Sequence, residues 1–346
     1  MEHIGIDVHK KESQLCILTE EGEVIERRIR TERARFAAVL GERAPARVLL
    51  EASTESEWVA SGLEELGHTV VVADPNYAAM YATRSRRVKT DRRDARAGRG
   101  VSARAYRPAH RTSAARRQLR AELTAREALV RTRARYISVI GAMLRREGVR
   151  VASGSAAAFL RRLEALTLPP PLAAAVAPLR ALMVPLNAQI AAAEARLAAG
   201  VHADDVMRRL TTVPGVGPVT ATTFVATLDT VVRFAGPHQV AAYLGLVPSE
   251  RSSGERQHRG AITKAGNRRA RQILVQAAWG MLRTRGPEAA ALRAWAQQLA
   301  ACRGKNVAVV GLARRIAGIL YALWRDGTAY EARCVRGVRR PPYVAA

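Results

Sequence analysis

HIGIDVHKKESQLCILTEEGEVIERRIR, residues 3–30, is the stretch on which the fold turns. Within it HIGIDVH (3–9), SQLCILT (13–19) and EVIERRIR (23–30) are short strand-type runs separated by turn signals, EEGE among them. The pattern predicts three antiparallel strands in a meander. A helical stretch follows at 32–43, then a buried-strand run RVLLEA at 47–52. An amphipathic helix ESEWVASGLEELG (55–67) and a second buried strand HTVVVAD (68–74) come next. The order βββαβαβα implies a mixed sheet with helices on its faces, because strands joined through a helical crossover lie parallel and are covered on both sides.

Two acids sit where this sheet should not tolerate them. Asp7 lies in the middle of the first strand, and Glu51 ends the first crossover strand directly after VLL. A carboxylate at either place is costly unless it is used. The first strand and the first crossover strand are expected to be neighbours, so Asp7 and Glu51 can meet. Farther on, KTDRRDAR (89–96) places Asp91 and Asp94 three positions apart, on one face if the segment is helical, with Arg92, Arg93 and Arg96 around them. Alone, that pair reads as surface ion pairs worth about 0.3 kcal/mol each. Together with Asp7 and Glu51 it predicts a helix packed over the same end of the sheet and four acids converging on one site. Their mutual repulsion would be relieved by Mg²⁺ or Mn²⁺, and two such ions about 4 Å apart can activate a nucleophile and stabilise the leaving oxygen of a phosphodiester. Arg84, Arg86, Arg87, Lys89, Arg92 and Arg93 are then candidates to hold the nucleic-acid backbone.

The composition agrees. Fifty-six Lys+Arg against 30 Asp+Glu give a formal charge of +26, mostly as arginine and spread along the chain. Arginine's planar fork matches phosphate oxygens, and releasing counterions from a nucleic acid favours binding. A GC-rich genome would explain arginine in place of lysine but not the net charge. Cys16, Cys302 and Cys334 are isolated, which argues against a zinc site or a disulfide framework. No P-loop, H-E-x-x-H or strand-embedded G-x-G-x-x-G occurs, so nucleotide-driven motors and zinc hydrolases lose support. The N-terminus carries no signal-type segment and nowhere do about 18 apolar residues follow one another, so the chain reads as cytoplasmic, without a membrane span.

Beyond the first domain AYRPAHRT (105–112) reads as a linker. Residues 113–147 repeat apolar side chains at helical spacing (Leu119, Leu123, Leu129, Val130, Ile137, Ile140, Leu144), and a break at EGVRVASGS precedes a second helical run at 181–199 after LPPP. Two long helices around a break predict a helical hairpin, either a spacer or a coiled coil that pairs with another copy. From about Asp204, VMRRLTTVPGVGPVTATTFVATL reads as helix, turn and helix, close to a helix-hairpin-helix. Gly215 and Gly217 would let the turn approach a phosphate, and the next helix would offer free N–H groups; a tight turn between helices is the plain alternative. Residues 249–260 read as a polar, charged loop containing Ser252 and Ser253. Loop serines ordinarily cap or solvate turns, and composition assigns them no chemistry. A helical run and a basic tail, VRGVRRPPYVAA, close the chain.

GIDVHK (5–10), LLEAS (49–53), KTDRRDA (89–95), VPGVGPVTA (213–221), GLVPSERSSG (245–254) and RGAITKAGNRRAR (259–271) together resemble, in order, the signature blocks of one family. It is the DEDD transposases of insertion sequences, bridge-RNA-guided recombinases related to pilin-gene invertases. The resemblance covers nearly the whole chain, though residues 113–200 match in pattern only. It implies α/β plus α architecture: a RuvC-like domain of RNase H fold (1–104), a helical coiled-coil spacer (113–200), a mainly α transposase domain (204–330) and a basic tail (331–346). The family's acidic tetrad falls on Asp7, Glu51, Asp91 and Asp94. Its nucleophilic serine falls on Ser253, directly before the glycine, with Ser252 the alternative. Arg256, between the last two blocks, and Arg259, Lys264 and Arg268, in the last, are candidate nucleic-acid contacts. The implied partners are donor and target DNA, a structured bridge RNA and further copies in a dimer or tetramer. The chain departs from the family in its arginine load and in Gly98 and Gly100, which would end the acid-bearing helix early. Two other readings share these features: a resolvase-like metal nuclease without a covalent intermediate, and a non-catalytic nucleic-acid binder in which the acids are ion pairs.

Overall fold

The computed structural model describes residues 1–74, 108–250 and 259–332. The chain divides into two compact units, Met1–Thr112 and Ser113–Ala346.

In the first unit β1 (His3–Val8), β2 (Glu12–Leu18) and β3 (Val24–Arg30) form the expected meander, followed by α1 (Arg33–Leu40), β4 (Arg47–Glu51), α2 (Ser56–Glu65) and β5 (Thr69–Ala73). The sheet order is β3-β2-β1-β4-β5, antiparallel through the meander and parallel from β1 to β4 to β5. Strand alternation sorts the side chains. Ile4, Ile6, Val8, Leu15, Ile17, Val48, Leu50 and Val72 enter one core with Phe36 and Leu40 of α1 and Val59, Ala60 and Leu63 of α2. Leu49, Val71 and Ala73 gather on the opposite face. Helices were expected on both faces; among the described residues α1 and α2 both pack on one, and the segment expected to carry a further helix, with Asp91 and Asp94, lies outside the described residues. Buried His68 ties the layers together, accepting from the Ala46 amide at Nδ1 (3.1 Å) and donating to the Leu40 carbonyl through Nε2 (3.1 Å).

The described part of the expected linker is fastened to this unit. Pro108 bridges to Ala73, the Ala109 amide donates to Val72 (2.8 Å), and Arg111 grips Glu57 and Glu64 of α2. Edge pairing of this kind needs only backbone, so its side chains give no strand signal.

The second unit is helical. The two long helices are α3 (Ala114–Arg146) and α5 (Pro170–Ala203), with a short α4 (Phe159–Glu164) between them. The second was expected from residue 181; it begins eleven residues earlier, runs through Pro178 and Pro185, and is held by a buried stripe including Leu172, Val176, Met183, Ile190 and Leu197. Proline suits a helix's first turn, and packing overrides its cost in the interior. Arg133 reaches Asn187 (3.3 Å) and Arg126 pairs with Glu194 across the two helices. Beyond them come α6 (Asp205–Leu210), α7 (Pro218–Leu228), α8 (Pro237–Tyr243), a short ribbon of β6 (Pro248–Glu250) and β7 (Arg259–Ile262), α9 (Arg268–Arg283), α10 (Ala290–Arg303) and α11 (Lys305–Asp326). α7 is buried from Thr220 to Leu228, and its Phe224 joins Leu274 and Ala278 of α9 and Leu312, Ile316 and Leu320 of α11 in the unit's core. α5 and α11 are each long and apolar enough to cross a membrane by length and composition; α11 is this core's central helix.

Candidate active site

The register of the parallel pair fixes the first part of the site. Ile4 lies beside Val48 and Ile6 beside Leu50, so the next residues along the two strands are Asp7 and Glu51. Neighbouring strands run about 4.8 Å apart, close enough for two carboxylates to share one cation. Since Ile6 and Val8 enter the core under the helices, Asp7 occupies the opposite face, beside Gln14 of β2. Its side chain is 14% exposed, whereas Glu51 is open to solvent.

His9 was not among the expected site residues, and the structure places its Nε2 3.4 Å from Asp7 Oδ2. The signal was available: residues two apart on a strand share a face. The backbone of His9 is strapped in place, its carbonyl accepting from Thr31 Oγ1 (2.7 Å), which lies 2.8 Å from the Oγ of fully buried Ser13. Two hard oxygen donors side by side fit Mg²⁺ or Mn²⁺. Among the described residues no three ligand-type side chains gather in one place. Asp91 and Asp94 lie outside the described residues, as do Arg84, Arg86, Arg87, Lys89, Arg92 and Arg93.

In the second unit the PGVG turn joins α6 to α7 as expected, but its two glycines have different surroundings. Gly215 has φ +81°, and a Cβ there would lie 2.5 Å from the Ala277 carbonyl oxygen and 2.7 Å from the Met281 amide nitrogen. Packing on the backbone of α9 demands this glycine. Gly217, the residue before α7, faces open space with φ −97°. Only at Gly217 is the glycine left unexplained by the protein's own packing.

Residues 249–260 were expected to be loop. The structure gives that stretch two strand ends, with Pro248 opposite Ile262 and Glu250 opposite Arg259. Strands this short and polar leave no alternation to read. The connection between them, residues 251–258 with Ser252, Ser253 and Arg256, lies outside the described residues, and of Arg259 only the backbone is described. At the ribbon's base the turn 263–267 leads into α9. Lys264 there has φ +57°, and a Cβ on Gly266 would strike the Tyr243 carbonyl at 2.0 Å. Arg271 locks the turn by donating to the carbonyls of Leu244 (3.1 Å) and Ala265 (2.6 Å), and Asn267 caps α9 by accepting from the Ala270 amide (3.0 Å). Lys264 and Arg268 stand exposed at this end of α9. Gly215 meets the same helix at Ala277, nine residues or about 13 Å along it, so the two basic-turn candidates and the PGVG turn form separate patches.

Two family models match the chain: a DEDD-type IS110 transposase model over residues 4–147 and the transposase IS116/IS110/IS902 family over residues 207–293. The first spans both Asp7 and Glu51, and the second spans the PGVG turn, the ribbon and α9. The chain is 30% identical to a protein of Pseudomonas aeruginosa named "Probable family 20 transposase", over 96% of this chain and 99% of that one. It is 29% identical to the transposase for insertion sequence element IS1111A of Coxiella burnetii, over 95% and 91% of the two chains. To the transposase for insertion sequence element IS1328 of Yersinia enterocolitica it is 25% identical, over 95% and 98%. Matched from one end to the other, with the acid pair and the glycine turn inside the two matched regions, the chain belongs to the IS110 family of insertion-sequence transposases, enzymes that cut and rejoin DNA.

Proposed function

We propose that this transposase is a site-specific recombinase whose acidic tetrad, Asp7, Glu51, Asp91 and Asp94, holds a divalent metal and whose Ser253 attacks the DNA backbone. The observation that carries the reading is the register of the parallel strands β1 and β4, in which Ile6 pairs with Leu50 and Asp7 and Glu51 are the next residues along each. The strand order β3-β2-β1-β4-β5 supports a RuvC-like domain of RNase H fold. When bound, Mg²⁺ or Mn²⁺ supplies charge for a developing oxyanion. Asp7 and Glu51 contribute oxygen ligands, and His9 restrains the Asp7 carboxylate.

The serine step balances. The Ser253 Oγ–P bond forms as one P–O ester bond of the DNA backbone breaks, the hydroxyl proton passes to a general base, and the departing sugar oxygen takes up a proton. The resulting phosphoserine ester conserves bond energy for rejoining, which hydrolysis by water does not. Residues 1–104 are the catalytic domain in this reading, 113–200 the helical spacer, 204–330 the serine-bearing domain and 331–346 a basic tail. Donor and target DNA are bound with a structured bridge RNA by a dimer or tetramer.

The test is cleavage of donor DNA in Mg²⁺ with trapping of protein–DNA adducts by denaturation. Asp7→Asn, Glu51→Gln, Asp91→Asn and Asp94→Asn should each abolish strand cleavage and keep DNA binding, and chelation of the metal should do the same. Ser253→Ala should lose adduct and recombination, whereas Ser252→Ala should cost far less. Cleavage without any adduct would favour a resolvase-like nuclease, and an adduct mapped to Ser252 would move the nucleophile by one residue.

A further inference from the structure

A groove crosses the second unit between α8, α10 and α11, and no step proposed above uses it. Its main part encloses about 610 Å³, lined by His238 of α8, Trp295 and Leu299 of α10, and Arg314, Arg315 and Ile319 of α11. Past Leu299 and Arg314 it continues into a second part of about 400 Å³, whose wall includes Pro248 of β6 and Ile262 of β7. The groove therefore runs up to the ribbon that carries residues 251–258.

The lining is apolar except for a few cations. The Arg315 guanidinium lies over the Trp295 ring, 4.7 Å from its centroid. Arg314 Nη2 sits 3.3 Å from His238 Nδ1, exposed to solvent. Among the described residues no carboxylate pairs with either guanidinium. Burial lowers the Arg315 pKa and the nearby Tyr330 phenol offsets this only in part, so the charge is held partly desolvated with no carboxylate beside it among the described residues. Cations without a carboxylate partner beside an apolar slot suit a ligand that is flat and apolar in one part and anionic in another. An unpaired nucleotide is such a ligand: bases removed from a duplex stack on aromatic rings and guanidinium planes while arginines take the phosphates. An uncharged apolar peptide would leave both guanidinia unmatched, whereas the chain's +26 charge favours a polyanion.

We infer that this groove holds an unpaired nucleotide of a nucleic-acid strand, its base in the apolar slot beside Trp295 and its phosphate on Arg314. The inference rests on the reading that the chain engages DNA and RNA, and it adds a subsite for a base taken out of the stack. With the ribbon forming one wall, such a nucleotide would lie against β6 and β7.

The test uses the full-length protein and a DNA duplex with one unpaired 2-aminopurine, compared with the fully paired duplex. Binding should quench the unpaired probe. Arg314→Ala, and Gly318→Leu, which fills the slot from a position where a Cβ makes only an ordinary 3.5 Å contact with Pro237, should each weaken the bulged duplex about tenfold, the order expected for one stacked base. Affinity for the paired duplex should stay unchanged, and melting curves should confirm that both variants fold. Equal weakening of both duplexes, or of neither, would overturn the inference. So would a change in sedimentation mass with probe affinity intact, which would make the groove a contact between copies of this chain. Asp7→Asn should abolish cleavage and leave the quench, so failure of the catalytic reading and failure of the groove appear in different signals.

Discussion

At Gly215 the carbonyl of Ala277 lies only 2.5 Å from where a Cβ would stand, and the φ of +81° is one that side chains resist. Gly215→Ala should therefore destabilise the second unit by about 2–4 kcal/mol, read from urea unfolding. Gly217→Ala, in open space at an ordinary φ, should cost under about 1 kcal/mol. Any loss of DNA affinity in that variant would then report on the turn as a binding element. A second residue-scale expectation concerns Tyr321, buried and donating to the Phe234 carbonyl at 2.8 Å. Tyr321→Phe leaves that carbonyl unsatisfied and should lower stability by about 1–3 kcal/mol. The glycine pair was legible in PGVG, but their different duties were not. What distinguishes them is a helix some sixty residues away in sequence, and no local pattern encodes that approach.

Elements show the same division. The strands of the first unit were legible because alternation over several residues reports a buried face, and each crossover strand is marked by an unbroken apolar run. The ribbon β6–β7 and the start of α5 were not, the one being too short for periodicity and the other being disguised by prolines. Arg120 illustrates a further blind spot. In an arginine-rich helix it looks like a solvated charge, yet it donates from α3 to the carbonyls of Ala226 (2.7 Å) and Thr227 (3.2 Å) at the end of α7. A cation there also meets the negative end of the helix dipole. Arg120→Ala should cost about 1–3 kcal/mol, and Arg120→Lys should recover only part of it, because an ammonium lacks the fork that spans two carbonyls. Thermal unfolding of the two variants against the parent measures both effects.

For the whole molecule, the charge of +26 makes nucleic-acid affinity a steep function of salt. If Arg84, Arg86 and Arg92 each contact a phosphate of duplex DNA, removing all three should flatten the slope of log K against log salt by about 2–3. An unchanged slope in a salt titration would put these side chains in solvent. Charge and the strand-and-crossover order both followed from residues in line, since each is a property of composition or of short-range periodicity. The acid pair was half visible: Asp7 and Glu51 stand out as carboxylates within apolar strand patterns, and their positions in the chain suggested neighbouring strands. That they sit side by side is a matter of register, set by how Ile4 and Ile6 and their partners Val48 and Leu50 share the core beneath α1 and α2. The tertiary structure alone also decided that Gly215 serves packing, and that α8, α10, α11 and the ribbon line a groove with two guanidinia that no carboxylate among the described residues pairs. Each of these depends on backbones distant in sequence coming within contact, and burying the cores is what brings them there.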